Sequence, residues 1–274
     1  MAAVAVAGVA SAQVTITGSL GFGMSDDSGS ARSIGWTDGK VTFAASEDLG
    51  GGMSISASNT LESKGDAAAS TGVNSGGSSI ALTTATMGKI TFGSAGASSA
   101  DLAVGSLPYD TNTLLGGTTD DYTYFQYDLP TLVDGLSIGV RLAGVDTAAT
   151  NVDKQLRFAY TMGDATVNFN TKSTSTGTAS AATLTYAVAG MTLKAYADTS
   201  IQTTATDKRY EYSISAPVGA LTVSASNMTK GSLKANEVNA SYALSKRTTA
   251  QVSFGSYTGG TKTSANRVKL VHTF

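Results

Sequence analysis

Apolar and polar side chains alternate along most of the chain with a period of two residues. Residues 135–144 show the pattern clearly, with one apolar face made by Leu136, Ile138, Val140 and Leu142. The same parity recurs in segments of about ten residues, the length of a membrane-crossing strand. No segment shows the periodicity of a helix over more than one or two turns. The alternation therefore predicts β-strands with one apolar and one polar face.

Clusters of Gly, Asn, Asp and Ser separate the predicted strands, and the connections alternate between short and long. The short ones lie near residues 47–52, 87–89, 129–135, 162–164, 189–190, 216–219 and 244–247. The long ones lie near 25–39, 60–78, 96–119, 145–152, 173–181, 199–207, 228–234 and 256–264. Seven short and eight long connections join sixteen strands, and an even number with tight turns at one end is typical of an outer-membrane barrel.

The fold class predicted is therefore all-β, a sixteen-stranded antiparallel transmembrane β-barrel in which the strand from Gln13 pairs with the strand ending at Phe274. A soluble β-sandwich or solenoid is the alternative. It would bury each apolar face in a close-packed core, which needs larger side chains than the many alanines found here. Faces rich in Ser, Thr and Asn instead suit a water-filled interior, so the barrel is favoured.

The amino-acid composition excludes several kinds of binding and catalytic site. Only 14% of the 274 residues are charged, and 18 Lys and Arg against 20 Asp and Glu give a net charge of -2. No basic excess is present to attract nucleic acid. With no Cys and one His, disulfides, thiolate metal sites, Cys nucleophiles and multi-His metal sites are excluded. The single His272 is expected on the outward face at the membrane interface rather than in a catalytic set.

The first twelve residues differ from the rest. Residues 1–12 form a small-residue apolar stretch that ends Ala10-Ser11-Ala12, which fits the cleavage pattern of a secretory signal peptide. We expect a signal-peptide remnant over 1–12 and the barrel over 13–274. The alternative is a short apolar strand or helix, because the stretch is well under the ~20 residues of a spanning helix.

Several segments resemble the general diffusion porins of Gram-negative bacteria, and the resemblance covers essentially the whole mature chain. They are residues 13–21 (QVTITGSLG), 40–53 (KVTFAASEDLGGGM), 88–93 (GKITFG), 124–131 (YFQYDLPT) and 268–274 (VKLVHTF). The EDLGGG turn and the terminal Phe274, the assembly signal of the family, are the most specific. The resemblance implies a sixteen-stranded, usually trimeric barrel in the outer membrane, surrounded by lipid and lipopolysaccharide, with the third loop folded inward.

Folded inward, the connection 96–119 would present an acidic side to the pore, made with its flank by Asp101, Asp110, Asp120 and Asp121. By strand parity the basic wall would comprise Lys40, Arg141, Arg157, Lys194, Arg209, Arg267 and Lys269. Tyr122, Tyr124 and Gln126 are expected to face inward and narrow the pore, or else to pack beneath the loop. A transverse field across the gap would favour small polar solutes. For each basic residue of this wall, the alternative is an ordinary solvated side chain in a wide vestibule.

The resulting hypothesis is a homotrimeric porin for passive diffusion of small hydrophilic solutes and ions, without a cofactor. A substrate-selective channel and a plugged structural barrel are the alternatives, whereas an outer-membrane enzyme would need a catalytic set that the sequence lacks. The pairs Asp26-Asp27 and Asp120-Asp121 are candidates for loop-bound Ca2+, with surface solvation favoured over it. The family's second loop contacts a neighbouring subunit, and residues 60–78 would take that place here; the alternative is a disordered tip of Ala, Gly and Ser.

Overall fold

The computed structural model describes residues 13–62, 74–95, 122–145, 152–174, 177–199, 208–260 and 263–274. Residues 1–12, assigned above to a signal peptide, lie outside this part, as do the middle of the second long connection and the whole of the third, 96–119. Within these ranges no helix is long and apolar enough to cross a membrane. The described residues form strands joined by turns.

Sixteen strands follow one another along the chain. Their bounds are β1 Gln13–Asp27, β2 Ser33–Gly50, β3 Met53–Glu62, β4 Asn74–Thr84, β5 Gly88–Ala95, β6 Tyr122–Asp128, β7 Leu136–Val145, β8 Asp153–Met162, β9 Ala165–Thr174, β10 Gly177–Val188, β11 Met191–Thr199, β12 Lys208–Val218, β13 Leu221–Lys230, β14 Leu233–Ala243, β15 Thr248–Thr258 and β16 Ser264–Thr273.

Each strand pairs antiparallel with its neighbours in sequence, and β1 also pairs with β16, so the sheet closes. Ser19 stands opposite Thr273 in this closing pair. Closure matters because lipid offers no partner for the N–H and C=O groups of an open sheet edge. The predicted sixteen-stranded antiparallel barrel, with its first and last strands paired, is confirmed.

The predicted parity separates an outer from an inner face. Large apolar side chains are exposed on the outer face, among them Val238 at 50% and Phe254 at 58% exposure. Outward charges in the described strands stand within three residues of strand ends: Asp26, Glu47, Lys154, Lys208, Lys234. The middle of the outer wall is thus compatible with hydrocarbon, while Ser, Thr, Asn and charged residues face inward.

Five of the predicted long connections overlap the strands by more than one residue. β3 ends at Glu62 and β4 begins at Asn74, inside 60–78, and β15 ends at Thr258, inside 256–264. β13 and β14 are joined by Gly231 and Ser232 alone, where 228–234 was expected to be a loop. β9 continues to Thr174 and β10 begins at Gly177, inside the predicted connection 173–181, and β1 and β2 leave only residues 28–32 of 25–39 between them. Polar side chains on the outward face hid these strand ends, because the alternation of an apolar outer and a polar inner face is lost where a strand rises above the apolar band.

At the end of the barrel opposite Phe274, the polarity of the two faces inverts. The inward side chains of β13–β16 form a buried apolar cluster of Met228, Ala235, Tyr257 and Ala265, with Leu233 packed against it. Outward neighbours there include the hydrogen-bonded pair Asn227 and Asn236, whose Nδ2 and Oδ1 atoms are 2.8 Å apart. This end of the wall therefore packs inward and is polar outside, as expected of strands beyond the hydrocarbon layer.

Candidate pore-lining site

All seven basic residues predicted to line the pore lie on strands, on the face opposite to the exposed apolar side chains. They are Lys40, Arg141, Arg157, Lys194, Arg209, Arg267 and Lys269. The four predicted acidic residues Asp101, Asp110, Asp120 and Asp121 lie outside the described residues. Tyr122 begins β6, with only its backbone described, and Tyr124 faces the lumen two residues later.

One group of lumen-facing residues on β6–β8, here called the arginine wall, consists of Tyr124, Gln126, Asp128, Arg141 and Arg157. Gln126 stands directly opposite Arg141 in the ladder. Arg141 donates from Nε and Nη2 to the Gln126 Oε1 oxygen, at 2.9 and 2.7 Å. Arg157 donates from Nη1 to the same oxygen at 3.4 Å. Two guanidinium groups therefore converge on one neutral amide oxygen.

A carboxylate holds that amide from its other side. Gln126 Nε2 donates to both Asp128 oxygens, at 2.7 and 2.8 Å. Gly139, which pairs with both Asp128 and Arg157, makes room for this contact, because a Cβ atom there would lie 2.5 Å from Asp128 Oδ1. The orientation of Gln126, with its oxygen toward the arginines, is thus fixed by the carboxylate.

A second glycine positions the aromatic member of the arginine wall. The Tyr124 ring lies against Gly93 of β5, where a Cβ atom would come within 2.7 Å of Cζ and Oη of the ring. The Arg141 Cζ atom lies over this ring, 4.2 Å from its centroid. The contact with the Tyr124 ring and the two hydrogen bonds to the Gln126 oxygen together fix the orientation of the Arg141 guanidinium.

The charges in the arginine wall do not cancel. Arg141 and Arg157 carry two positive charges, whereas Asp128 carries one negative charge and is linked to Arg141 through the amide of Gln126. Among the described residues, no carboxylate lies within salt-bridge distance of Arg141. Among these five side chains, two positive charges thus stand against one negative charge, and a net positive charge attracts anions.

Arg209 has different surroundings. It lies with Tyr196, Asp198 and Glu211 in a group of residues on β11 and β12 that is here called the acidic wall. Arg209 Nε lies 3.7 Å from Asp198 Oδ2, and its Nη2 lies 3.5 Å from Glu211 Oε2. Its Cζ atom is 4.7 Å from the centre of the Tyr196 ring, whose hydroxyl donates to Asp198 at 2.6 Å. Two carboxylates thus flank one guanidinium, so Arg209 adds no net positive charge to the wall.

Sequence reasoning missed Gln126 as a ligand of the arginines, and it also missed the acidic members of the wall. Asp198 and Glu211 share the inward parity of Lys194 and Arg209, so the parity argument that placed the basic residues would have found them. The same holds for Asp153, which pairs with Lys172 at 3.1 Å. The described inner wall therefore contains ion pairs on β8–β9 and β11–β12 as well as the arginine wall of β6–β8.

The remaining predicted residues are not brought into these groups. Lys40 stands between Ser19 and Glu62 in the ladder, and Arg267 and Lys269 are two residues apart on β16. The structure gathers no group of three or more His, Asp or Glu in its described ranges that could hold a metal ion. Asp26, one of the Ca2+ candidates, forms an ion pair with Arg32 at 2.9 Å. His272 Nδ1 lies 2.9 Å from Thr248 Oγ1.

A closed antiparallel barrel with an apolar outer face and a charged, polar inner wall defines a membrane channel of the β-barrel class. The sequence profile of the Gram-negative porin family matches residues 1–262. The chain belongs to this family. It is accordingly an outer-membrane protein that forms a channel for passive diffusion.

Solved structures share the fold. A loop-deletion mutant of OmpT, an outer membrane protein of Vibrio cholerae, superposes with a TM-score of 0.72 at 12% identity, covering 96% of this chain and 99% of that one. A triple mutant of the Rhodopseudomonas blastica porin superposes with a TM-score of 0.70 at 13% identity, covering 96% of this chain and 100% of that one. A search of curated proteins by sequence found no match.

Proposed function

We propose that the channel conducts small hydrophilic solutes and ions, and that the arginine wall forms the electropositive side of its narrowest part. The observation that carries the proposal is the convergence of Arg141 and Arg157 on Gln126 in the lumen of a closed barrel. Fixed charges lining a water-filled bore favour polar over apolar solutes. The proposal assigns no catalytic activity to the chain.

The proposed counterpart of the arginine wall is the segment 96–119 with its flank. It carries Asp101 and Asp110, followed by Asp120 and Asp121, and leads directly into β6, the strand of Tyr122, Tyr124 and Gln126. An inward course of this segment would set carboxylates across from guanidinium groups. The resulting transverse field would orient dipolar solutes during passage.

Single-channel recording in planar bilayers tests the channel itself. Purified protein is expected to insert with stepwise increases in conductance that grow in proportion to salt concentration. Saturation of the current by one solute would instead indicate a substrate-selective channel. Folded protein that inserts without conducting would indicate a plugged barrel and would contradict the proposal.

The charge of segment 96–119 is tested by the double variant Asp101→Asn, Asp110→Asn. In a potassium chloride gradient its reversal potential is expected to shift toward that of chloride, because two negative charges are removed from the proposed constriction. Glu47→Gln on the outer face serves as the control. A reversal potential equal to that of the wild type would show that the segment does not line the narrow part.

We further propose that the chain acts as a homotrimer within outer-membrane lipid and lipopolysaccharide, with the outer face of β3 and β4 in the subunit contact. Asn59 and Ser78 face outward there, and Asn59 Nδ2 donates to Ser78 Oγ at 2.6 Å. Apolar Ala57 and Leu61 precede and follow Asn59 on the same face. A polar pair inside the apolar band is better accommodated by a protein neighbour than by lipid.

Tryptophan fluorescence distinguishes protein from lipid contact at this face. Trp36 is the only tryptophan of the chain, so W36F provides a background without tryptophan. S78W in that background is expected to resist quenching by brominated lipids, whereas V238W on the outer face of β14 is expected to be quenched. Equal quenching of both would place Ser78 in lipid. Cross-linking and mass measurement in detergent then give the subunit number.

A further inference from the structure

The position of Gln126 Oε1 has the surroundings of an anion site. Three guanidinium N–H groups from two arginines point at it, at 2.7, 2.9 and 3.4 Å. Such convergence of charged donors is what proteins use to bind carboxylate, sulfate or phosphate oxygens. Here the oxygen belongs to a neutral side chain that is part of the wall.

The amide is also fixed in the orientation that keeps its oxygen there. Both Asp128 oxygens accept hydrogen bonds from Gln126 Nε2, so a flip of the amide would place its carbonyl oxygen against a carboxylate and its N–H groups against the arginines. Gly139 leaves the space in which the Asp128 carboxylate lies. Gln126 and Arg141 are each 8% exposed, so solutes in the lumen do not reach the position that the Gln126 oxygen occupies.

We propose that Gln126 is a built-in ligand that occupies an oxyanion site between Arg141 and Arg157 and so prevents the channel from retaining anions. The positive charge of the wall still acts on passing ions through its field, but no solute oxygen reaches the point where the donors converge. Passage of anions then stays non-saturable. Truncation of Gln126 opens the site to a small oxyanion. This inference rests on the proposed function, since it concerns solutes in a conducting pore.

Sulfate is a suitable probe because it stays doubly charged throughout the neutral range. Single-channel current is measured at constant ionic strength while sulfate replaces part of the chloride. In the wild type the current is expected to follow the loss of chloride alone. In Q126A it is expected to fall further, with a loss that saturates as sulfate increases. The double variant Q126A/R141M is expected to lose this response, because one of the two guanidinium groups is gone.

Gln155→Ala is the matched control. Gln155 is also a lumen-facing glutamine, is 2% exposed, and stands opposite Arg141 on the neighbouring strand, but neither of its amide atoms has a hydrogen-bond partner among the described residues. Q155A therefore removes the same atoms without vacating the oxygen position that the arginines share, and its current is expected to match the wild type in sulfate. An equal response of Q126A and Q155A would overturn the proposal.

The double variant Q126E/D128N keeps the proposal testable if truncation prevents folding. It places a charged oxygen at the same point, and the amide at residue 128 avoids contact between two carboxylates. We expect no sulfate response and, relative to D128N alone, a reversal potential shifted toward that of potassium. An unshifted reversal potential would count against the proposal as much as a sulfate-insensitive Q126A. Whether the wild type conducts tests the proposed function, whereas the sulfate response and reversal potential of conducting Q126A and Q126E/D128N channels test this inference, so a failure of one can be told from a failure of the other.

Discussion

The ring of Phe274 lies on the backbone of Gly18, at the seam where the last strand of the barrel meets the first. Gly18 N donates to the Phe274 carbonyl oxygen at 2.9 Å, and Phe274 N donates to the Gly18 carbonyl oxygen at 3.0 Å. A Cβ atom at Gly18 would come within 2.7 Å of the ring atom Cε2 and 2.6 Å of the Lys40 carbonyl oxygen. The absence of a side chain at residue 18 thus makes room for the aromatic ring that covers the seam.

The first prediction is that Gly18→Ala weakens closure of the barrel. The added methyl group must displace the Phe274 ring and strain the β1–β2 pairing, and overpacking of this kind costs about 1–3 kcal/mol. The loss is measured as a lower temperature at which the barrel loses its heat-modifiable mobility on gels.

Gly144→Ala is the control for this prediction, because a Cβ atom at Gly144 would have nothing within 4 Å. In addition, F274A should reduce the penalty of G18A, since the ring that the methyl group displaces is then absent. A penalty that stays the same in the double variant would show that the strain lies wholly against Lys40.

The second prediction concerns the two faces of one strand. Val252 faces outward on β15, with apolar Ala250 and Phe254 on either side, and Gln251 faces the lumen. Arginine at an outward position near the middle of the bilayer costs roughly 2–4 kcal/mol. V252R is therefore expected to lower the fraction of protein that folds into vesicles, and Q251R to leave it near the wild-type value. Reversed outcomes for the two variants would invert the assignment of the faces.

The third prediction concerns the acidic wall. Arg209→Met removes the guanidinium that lies between the buried Glu211 and the neighbouring Asp198, and loss of one member of a buried ion pair costs about 3–5 kcal/mol. Unfolding in denaturant should show this loss, and a second change, Glu211→Gln, should restore part of it. Arg32→Met breaks the exposed pair with Asp26 and should cost less than about 1 kcal/mol. Equal losses for R209M and R32M would argue against a buried network.

The fourth prediction is that Asp128→Asn shifts ion preference toward anions. The substitution removes the carboxylate that is linked to the arginines through Gln126, while the amide oxygen of the introduced asparagine can still accept from Gln126 Nε2. The reversal potential in a potassium chloride gradient should move toward that of chloride. Asp26→Asn, on the outer face, should leave it unchanged. A shift of similar size in both variants would indicate a general surface-charge effect.

Much of the fold could be predicted because a barrel wall repeats one local rule. Alternation at residues 135–144 predicted a strand with Leu136 outside and Arg141 inside, and the structure places both so. The rule failed where strands rise above the membrane, as between β13 and β14, because polar residues there occupy the outward face and Met228 the inward one. The turn-forming residues and the alternation of polar and apolar positions then predict different ends for the strand.

The strand number, the closure of β1 on β16 and the inward orientation of the seven predicted basic residues follow from the amino-acid sequence, since a two-residue period and the spacing of turns are local properties. Which of those residues meet follows from the three-dimensional arrangement. Register and strand neighbours bring Arg141 and Arg157 to one oxygen of Gln126, and they give Arg209 two carboxylates instead. Contacts between side chains on separate strands depend on the stagger of the sheet and on gaps such as Gly93 and Gly139, which no period in the chain records.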